Sequence, residues 1–487
     1  MLAQPPAHAP AHAVVRPSLH IAGAWRDGAT RMDVRNPYDG SLIAQVACAT
    51  PADVDDAIAS ALVGQRAMAA LTTGERAAIL HRTADMLAAD AARFAAMITA
   101  ETGKIIRAAT KEVSRAVNTL RLSAEEATRL SGETIAFDSF PGGETRHGFY
   151  VYEPVGVIAA ITPFNDPLNL ACHKLGPAFA AGNSVILKPA DQAPLTAIML
   201  AELLLAAGLP ADALNLLTGR GGDFGTALVA SPDIAMVSFT GGARTGETIA
   251  RAAGIKRIAM ELGANAAVIV AADADIGKAA DACASGAFWA AGQNCIGVQR
   301  IFVHQSIYAA FRDRMVATTE AMVVGDPMDP ATDIGPMIAV GEAERMAAWT
   351  DEAVALGARV CTGGRRDGAI FPPTIFEQAP PDARIVRQEA FGPIVSLFPY
   401  ADLDDAIAAA NAVDHAIHAA IFTASLRDAH HAARGLQAAG VMINDSTDYR
   451  LDAMPFGGAR RGNMGREGVR FAVREMSHTK VVCFHEG

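Results

Sequence analysis

No two cysteines in this chain form a C-x-x-C pair; the six, Cys48, Cys172, Cys283, Cys295, Cys361 and Cys483, are scattered over 487 residues. That spacing excludes a small disulfide framework and a zinc site, and it points to free thiols in a reducing cytoplasm with no metal. Positive charge is also in deficit: 41 Lys plus Arg face 52 Asp plus Glu, for a net charge of −11. With no basic stripe to neutralise a phosphate backbone, nucleic acid is excluded as a partner. Long apolar runs are missing as well. The longest, TAIMLAELLLAAGL at 196–209, carries Glu202 and falls short of the ~20 apolar residues a bilayer span needs. The opening MLAQPPAHAPAHAVV lacks both a basic start and a continuous apolar core, so it does not read as a secretory signal. Residues 1–17 are expected to be a loose, disordered tail.

What remains is a hydrophobic fraction of 51% against 19% charged residues, the balance of a compact protein. The length exceeds what a single core organises, so two or more domains are expected. From Asp53, a candidate helix cap, to about residue 132, apolar residues recur at three- and four-residue spacing, the helical period. Short β-rich runs then alternate with helical ones: VGVIAAITP (155–163), SVILKPA (184–190), LNLLTG (214–219) and IAMVSFTG (234–241). Strand and helix in alternation predict right-handed crossovers and a parallel sheet covered on both faces. The fold class is therefore α/β, with a doubly wound, Rossmann-like nucleotide-binding domain and its ligand at the carboxyl ends of the strands. A second alternation after about residue 262, with AAVIVAADADI, RIFVH, IVSLFPY and GVMIND as strands, predicts a second α/β domain. Segments near 134–153 and the final TKVVCFHEG read as extended arms that pair with another subunit.

The phosphate fingerprint G-x-G-x-x-G is absent. Its nearest candidate, GRGGDFG at 219–225, has Phe224 in the third glycine position. FTGGARTG at 239–246 offers a substitute, because Gly241 and Gly242 follow a strand and precede a helix, where backbone can approach a pyrophosphate. A glycine pair after a strand is more often a plain turn.

Three residues carry chemical potential. Glu261, in MELGAN, ends a strand-like run where a carboxylate is costly unless it faces a cleft. Cys295, in GQNC, has the bland alternative of a packing thiol, but a thiolate can attack a carbonyl carbon and a carboxylate can later activate water. Asn165, in TPFND, reads by itself as an ordinary turn residue before Pro167, although an amide at a strand's carboxyl end can donate to a developing oxyanion.

TPFNDPLN, ILKPADQAPL, SFTGG, MELGAN, GQNC, EAFGPI and PFGGARRGNMGREG stand in the order and approximate spacing of the aldehyde dehydrogenase superfamily, which the chain resembles over residues 18–487. The resemblance implies Cys295 as nucleophile, Glu261 as general base, and Asn165 with the Cys295 N–H as oxyanion hole. It implies cofactor contacts from Lys188 at the adenosine ribose and from Glu389 and Phe391 at the nicotinamide ribose. Gly241 and Gly242 would lie near the pyrophosphate, with Pro163, Phe164, Gly221, Thr240 and Thr245 around the cofactor. Asp191 stands where many NAD-preferring relatives carry glutamate; an acidic group there should repel a 2′-phosphate, so NAD is expected, with NADP as the alternative.

Asp166, Asn294 and NDSTDYRLD (444–452) are expected to border the substrate mouth. The last segment resembles a branch handling lactaldehyde, phosphonoacetaldehyde and glyceraldehyde 3-phosphate. Arg450 suits a carboxylate or phosphate there, against the alternative of an outward salt bridge. The implied layout is residues 18–133 and 154–261 for NAD(P) binding, 262–473 for catalysis, and 134–153 with 474–487 as arms of a homodimer or homotetramer. Two rival functions stand beside a hydrolytic dehydrogenase: a CoA-acylating semialdehyde dehydrogenase, which Glu261 disfavours, and a homologue without turnover.

Overall fold

The computed structural model describes residues 14–15, 18–461 and 464–486. The expected tail thus lies outside the described residues, except for Val14–Val15, which pair in parallel with Ala44 and Gln45.

Four helices precede the first sheet proper: α1 (Pro51–Ala70), α2 (Thr73–Ala89), α3 (Ala91–Thr102) and α4 (Ile106–Arg129). The cap of α1 is Thr50 rather than Asp53. Thr50 accepts from the Asp53 N–H at 3.3 Å while the Asp53 carboxylate accepts from the Thr50 N–H at 2.8 Å, so Asp53 is the far half of a reciprocal box. Thr72 and Glu75 repeat that device at α2.

The crossovers α5 (Pro167–Ala181), α6 (Leu195–Ala206), α7 (Gly221–Ala230) and α8 (Ala243–Ala253) connect strands of a seven-stranded sheet. Its order is Arg257–Leu262, Ile234–Gly241, Val157–Ile161, Ser184–Lys188, Leu214–Leu216, Leu19–Ile21, Ala24–Arg26. The first five run parallel, and the last two join antiparallel. Because side chains alternate across a strand, Val157 and Ala159 enter the layer of α1, α7 and α8, while Ile158 and Ala160 enter the layer of α2 to α6. Both faces are covered, which is why these strands lack polar alternation. Helix α5 is buried along its whole length, Lys174 and His173 included.

A second seven-stranded sheet runs Arg359–Thr362, Thr374–Glu377, Ile394–Tyr400, Val298–His304, Ala266–Val270, His418–Phe422, Gly440–Ile443. Only its first strand is antiparallel. Three of its members, Arg359–Thr362, Thr374–Glu377 and His418–Phe422, are not among the strands read from the sequence. The two extended segments meet as strands Arg146–Pro154 and Ser477–His485, antiparallel in continuous register from Pro154 opposite Ser477 to Arg146 opposite His485. Residues 469–475 are helical and pack on α5, so the arm strand starts at Ser477.

Candidate active site

Parallel strands all end on one side, and the first sheet delivers its polar residues there. Asn165 lies in the turn between Val157–Ile161 and α5, and Lys188 ends Ser184–Lys188. Gly241 ends Ile234–Gly241, and Glu261 is the penultimate residue of Arg257–Leu262. The second sheet contributes Cys295, ahead of Val298–His304, and Glu389 with Phe391, ahead of Ile394–Tyr400. These groups converge on one cleft of about 1200 Å³.

Pro163, Phe164, Asn165, Lys188, Asp191, Gly221, Thr240, Gly241, Gly242, Thr245, Glu261, Cys295, Glu389, Phe391 and Arg450 all line this cleft. Asp166 and Asn294 do not. Asp166 turns away to pair with Lys104 and, at 3.4 Å, with Arg115. Asn294 folds back to accept from the Ile296 N–H at 3.2 Å.

The turn before Cys295 is unusual. Ala290, Ala291 and Gly292 hold φ of +52°, +54° and +69° in succession, the left-handed region that costs an alanine roughly 1–2 kcal/mol. A β-carbon at Gly292 would lie 2.2 Å from the Gly392 carbonyl, so the cysteine turn lies directly against the segment that follows Phe391. Phe391 has φ of +44° and meets Phe164 edge to face, with ring centroids 5.8 Å apart.

The electrostatics are set by burial. Burial pushes the Cys295 thiol up, with Arg450 opposing and Glu389, Glu261 and Asp166 adding to the rise. Glu261 is pushed well above the usual carboxylate range by burial first and by the nearby charge of Glu467 second, against Arg450, Lys174 and Arg466. Its Oε2 is buried without a hydrogen-bond partner. Burial would raise Glu467 too, but Lys174 at 3.2 Å and Arg450 at 2.9 Å reverse this and hold it at about 2. The Arg450 guanidinium also lies 3.7 Å from the centroid of the Phe456 ring. It is therefore an inward, paired arginine, with its Nε still lacking a partner.

A dinucleotide fits these residues. Gly242, at the start of α8, has open space where a side chain would stand, and a β-carbon at Gly221 would lie 3.5 Å from Lys188 Cε. Gly263 makes room for Glu389: a methyl there would come within 1.8 Å of its carboxylate. Glu389 accepts from the Ala264 N–H at 3.1 Å, and burial raises it to about 7. Lys188 is ion-paired to Asp191.

Glu467 and Lys174 were not anticipated among the site residues. Lys174 had a visible signal, a cation inside an otherwise apolar helical stretch. Glu467 stands inside the motif PFGGARRGNMGREG, but its pairing depends on partners brought from distant parts of the chain.

The aldehyde dehydrogenase family model matches residues 25–482. Aspartate-semialdehyde dehydrogenase 1 of Pseudomonas canavaninivorans is 51% identical over 93% of this chain and 96% of its own length. The 3-sulfolactaldehyde dehydrogenase of Priestia aryabhattai is 45% identical over 96% and 98%. Among solved structures, the glyceraldehyde-3-phosphate dehydrogenase of Methanocaldococcus jannaschii, complexed with NADP, superposes with a TM-score of 0.90 at 37% identity, over 93% of this chain and 99% of that one. Fold and cleft define a nicotinamide-linked oxidoreductase. The chain belongs to the aldehyde dehydrogenase family, as an NAD(P)-dependent aldehyde dehydrogenase.

Proposed function

We propose that this enzyme oxidises a small aldehyde bearing an anionic group to its carboxylic acid, through covalent attachment to Cys295 and hydrolysis assisted by Glu261. The observation that carries this reading is that Cys295 and Glu261, from two different sheets, open into one cleft with Lys188 and Glu389. Cys295 gives up its thiol proton to water as its Sγ bonds to the aldehyde carbon, and the amide of Asn165 with the Cys295 N–H donates to the oxygen that gains charge. Bound nicotinamide supplies hydride acceptance, and its oxidised ring adds positive charge to the cleft. Glu261, which lines the same cleft, then takes a proton from the water that releases the acyl group from Cys295.

Two observations support the anionic substrate. Three relatives are named for aldehydes that carry a carboxylate, a sulfonate or a phosphate, beside others named for the neutral lactaldehyde, and Arg450 lines the cleft that holds Cys295. Asp191 at the ribose end favours NAD over NADP, since a carboxylate repels a 2′-phosphate. We assign residues 18–133 and 154–261 to cofactor binding and 262–473 to catalysis. The paired arm strands are assigned to assembly of a cytoplasmic homodimer or homotetramer. Among the described residues no helix is long and apolar enough to cross a membrane.

The test is a panel of carboxylated, sulfonated, phosphorylated and neutral small aldehydes with NAD and NADP, each with and without coenzyme A. The reading expects the acid and NADH without coenzyme A, fastest for an anionic aldehyde. NADH formation that requires coenzyme A would indicate the acylating reaction instead. No turnover with any aldehyde, together with an unreactive Cys295, would indicate a protein without catalysis.

A further inference from the structure

The two donors assigned to the oxyanion hole come from opposite halves of the molecule, Asn165 from the first sheet and the Cys295 N–H from the second. Lys104, in the link between α3 and α4, touches both halves. On one side its Nζ pairs with Asp166, the neighbour of Asn165, and with Glu112 on α4. On the other it sits 5.2 Å from the centroid of the Trp289 ring, at the start of the left-handed turn that leads to Cys295. A small cavity beside it is lined by Lys104, Asn165, Ala290, Ala291 and Gln293 together with Asp333, Gly335 and Pro336.

The ionic groups around Lys104 are arranged to hold the Asn165 turn. Asp166 occupies the cap position of α5 yet makes no capping bond. Its carboxylate goes to Lys104 and Arg115 instead, and Glu112 takes over the cap, accepting from the N–H groups of Leu168 at 2.9 Å and Asn169 at 3.2 Å. Lys104 therefore holds the two carboxylates that anchor both sides of the turn, and it is itself only 5% exposed. Buried ion pairs add little net stability compared with apolar packing, but they specify geometry where partners are fixed.

We propose that Lys104 is a positioning residue that sets Asn165 and the Cys295 turn at a common distance from the reacting carbonyl, by an ion pair to Asp166 on one side and a cation–π contact to Trp289 on the other. The inference rests on the oxyanion-hole reading of Asn165.

Two cofactor-independent rates separate it from a general structural role. Hydrolysis of p-nitrophenyl acetate needs both the thiol and the oxyanion donors: Sγ bonds to the acyl carbon, p-nitrophenolate leaves, and water releases acetate. Alkylation of Cys295 by iodoacetamide displaces iodide from a saturated carbon, so it needs the thiol alone. Lys104→Met and Trp289→Leu are each expected to slow ester hydrolysis roughly tenfold or more while alkylation stays within about twofold. Asn165→Ala should behave the same way, and Lys104→Met added to Asn165→Ala should cost less than its effect alone, because part of that effect acts through Asn165 and the rest through the Cys295 turn.

Wild-type ester hydrolysis in Lys104→Met would overturn the proposal. So would an equal loss in both rates, or a double variant whose loss is the product of the single ones. Should Lys104→Met fail to fold, Trp289→Leu keeps every ion pair and decides alone by the same criteria. If Asn165→Ala hydrolyses the ester at the wild-type rate, it is the oxyanion-hole reading itself that fails.

Discussion

At the scale of single residues, proton affinity divides the labour in the cleft. Glu261 is neutral below its raised pKa, so acyl release, which needs the carboxylate, should be slow in acid and gain as pH rises through that value. Glu467 is a like charge that helps hold the proton on Glu261, and Arg450, Lys174 and Arg466 oppose it. Removing that charge in Glu467→Gln should move the rising limb to lower pH. The check is a single-turnover pH profile of acyl-enzyme decay by intact mass; an unmoved limb would mean the Glu467 charge does not reach Glu261.

Glu261→Gln should let the Cys295 thioester accumulate as a stable mass increment, whereas Cys295→Ala should abolish oxidation and leave NAD binding within about twofold by calorimetry, because Cys295 makes no demand on the ribose contacts. Asp191→Ala should raise the kcat/KM ratio of NADP to NAD about tenfold, the effect of relieving roughly 1.4 kcal/mol of repulsion. Cys295, Glu261 and Asn165 were singled out by the motifs around them, and folding brings all three to one cleft. Arg450 was legible as a cation but not as the inward partner of Glu467, since an ion pair between residues 450 and 467 leaves no periodic trace.

At the scale of elements, the strands of both sheets were readable because burial on both faces demands unbroken apolar runs, as in Val157–Ile161 and Ala266–Val270. Helix starts were less so: Asp53 and Thr50 are both good capping types, and only the reciprocal bonds decide which is the cap. The turn Ala290–Gly292 gave no warning at all, since alanine favours ordinary helical backbone. Gly292→Ala should be costly there. Its φ of +69° disfavours a side chain by about 1 kcal/mol, and the new methyl meets the Gly392 carbonyl. The expected result is a lowered melting temperature together with slowed alkylation of Cys295; an unchanged alkylation rate would show that the turn tolerates displacement without moving the thiol.

At the scale of the whole molecule, the arm strand Ser477–His485 is held along its length by Arg146–Pro154 while Phe149 and Phe484 stay exposed on one face of that small sheet and Val481 on the other. An apolar patch on a three-stranded sheet is suited to cover by a second subunit. Deleting residues 477–487 should reduce the assembly to a smaller species in sedimentation velocity, and an unchanged species would place the subunit contact elsewhere. Composition and alternation were enough to indicate an α/β fold, and the order of the motifs, through resemblance, an NAD(P)-dependent aldehyde dehydrogenase, because those properties reside in residue type and in periods of a few positions. Only folding decided that Asp166 serves Lys104 rather than the substrate mouth, that Glu467 raises Glu261, and that Arg450 is already paired. Each of these depends on a Coulomb interaction between groups far apart in the chain, and its strength is fixed by distance and by the low dielectric of a packed interior.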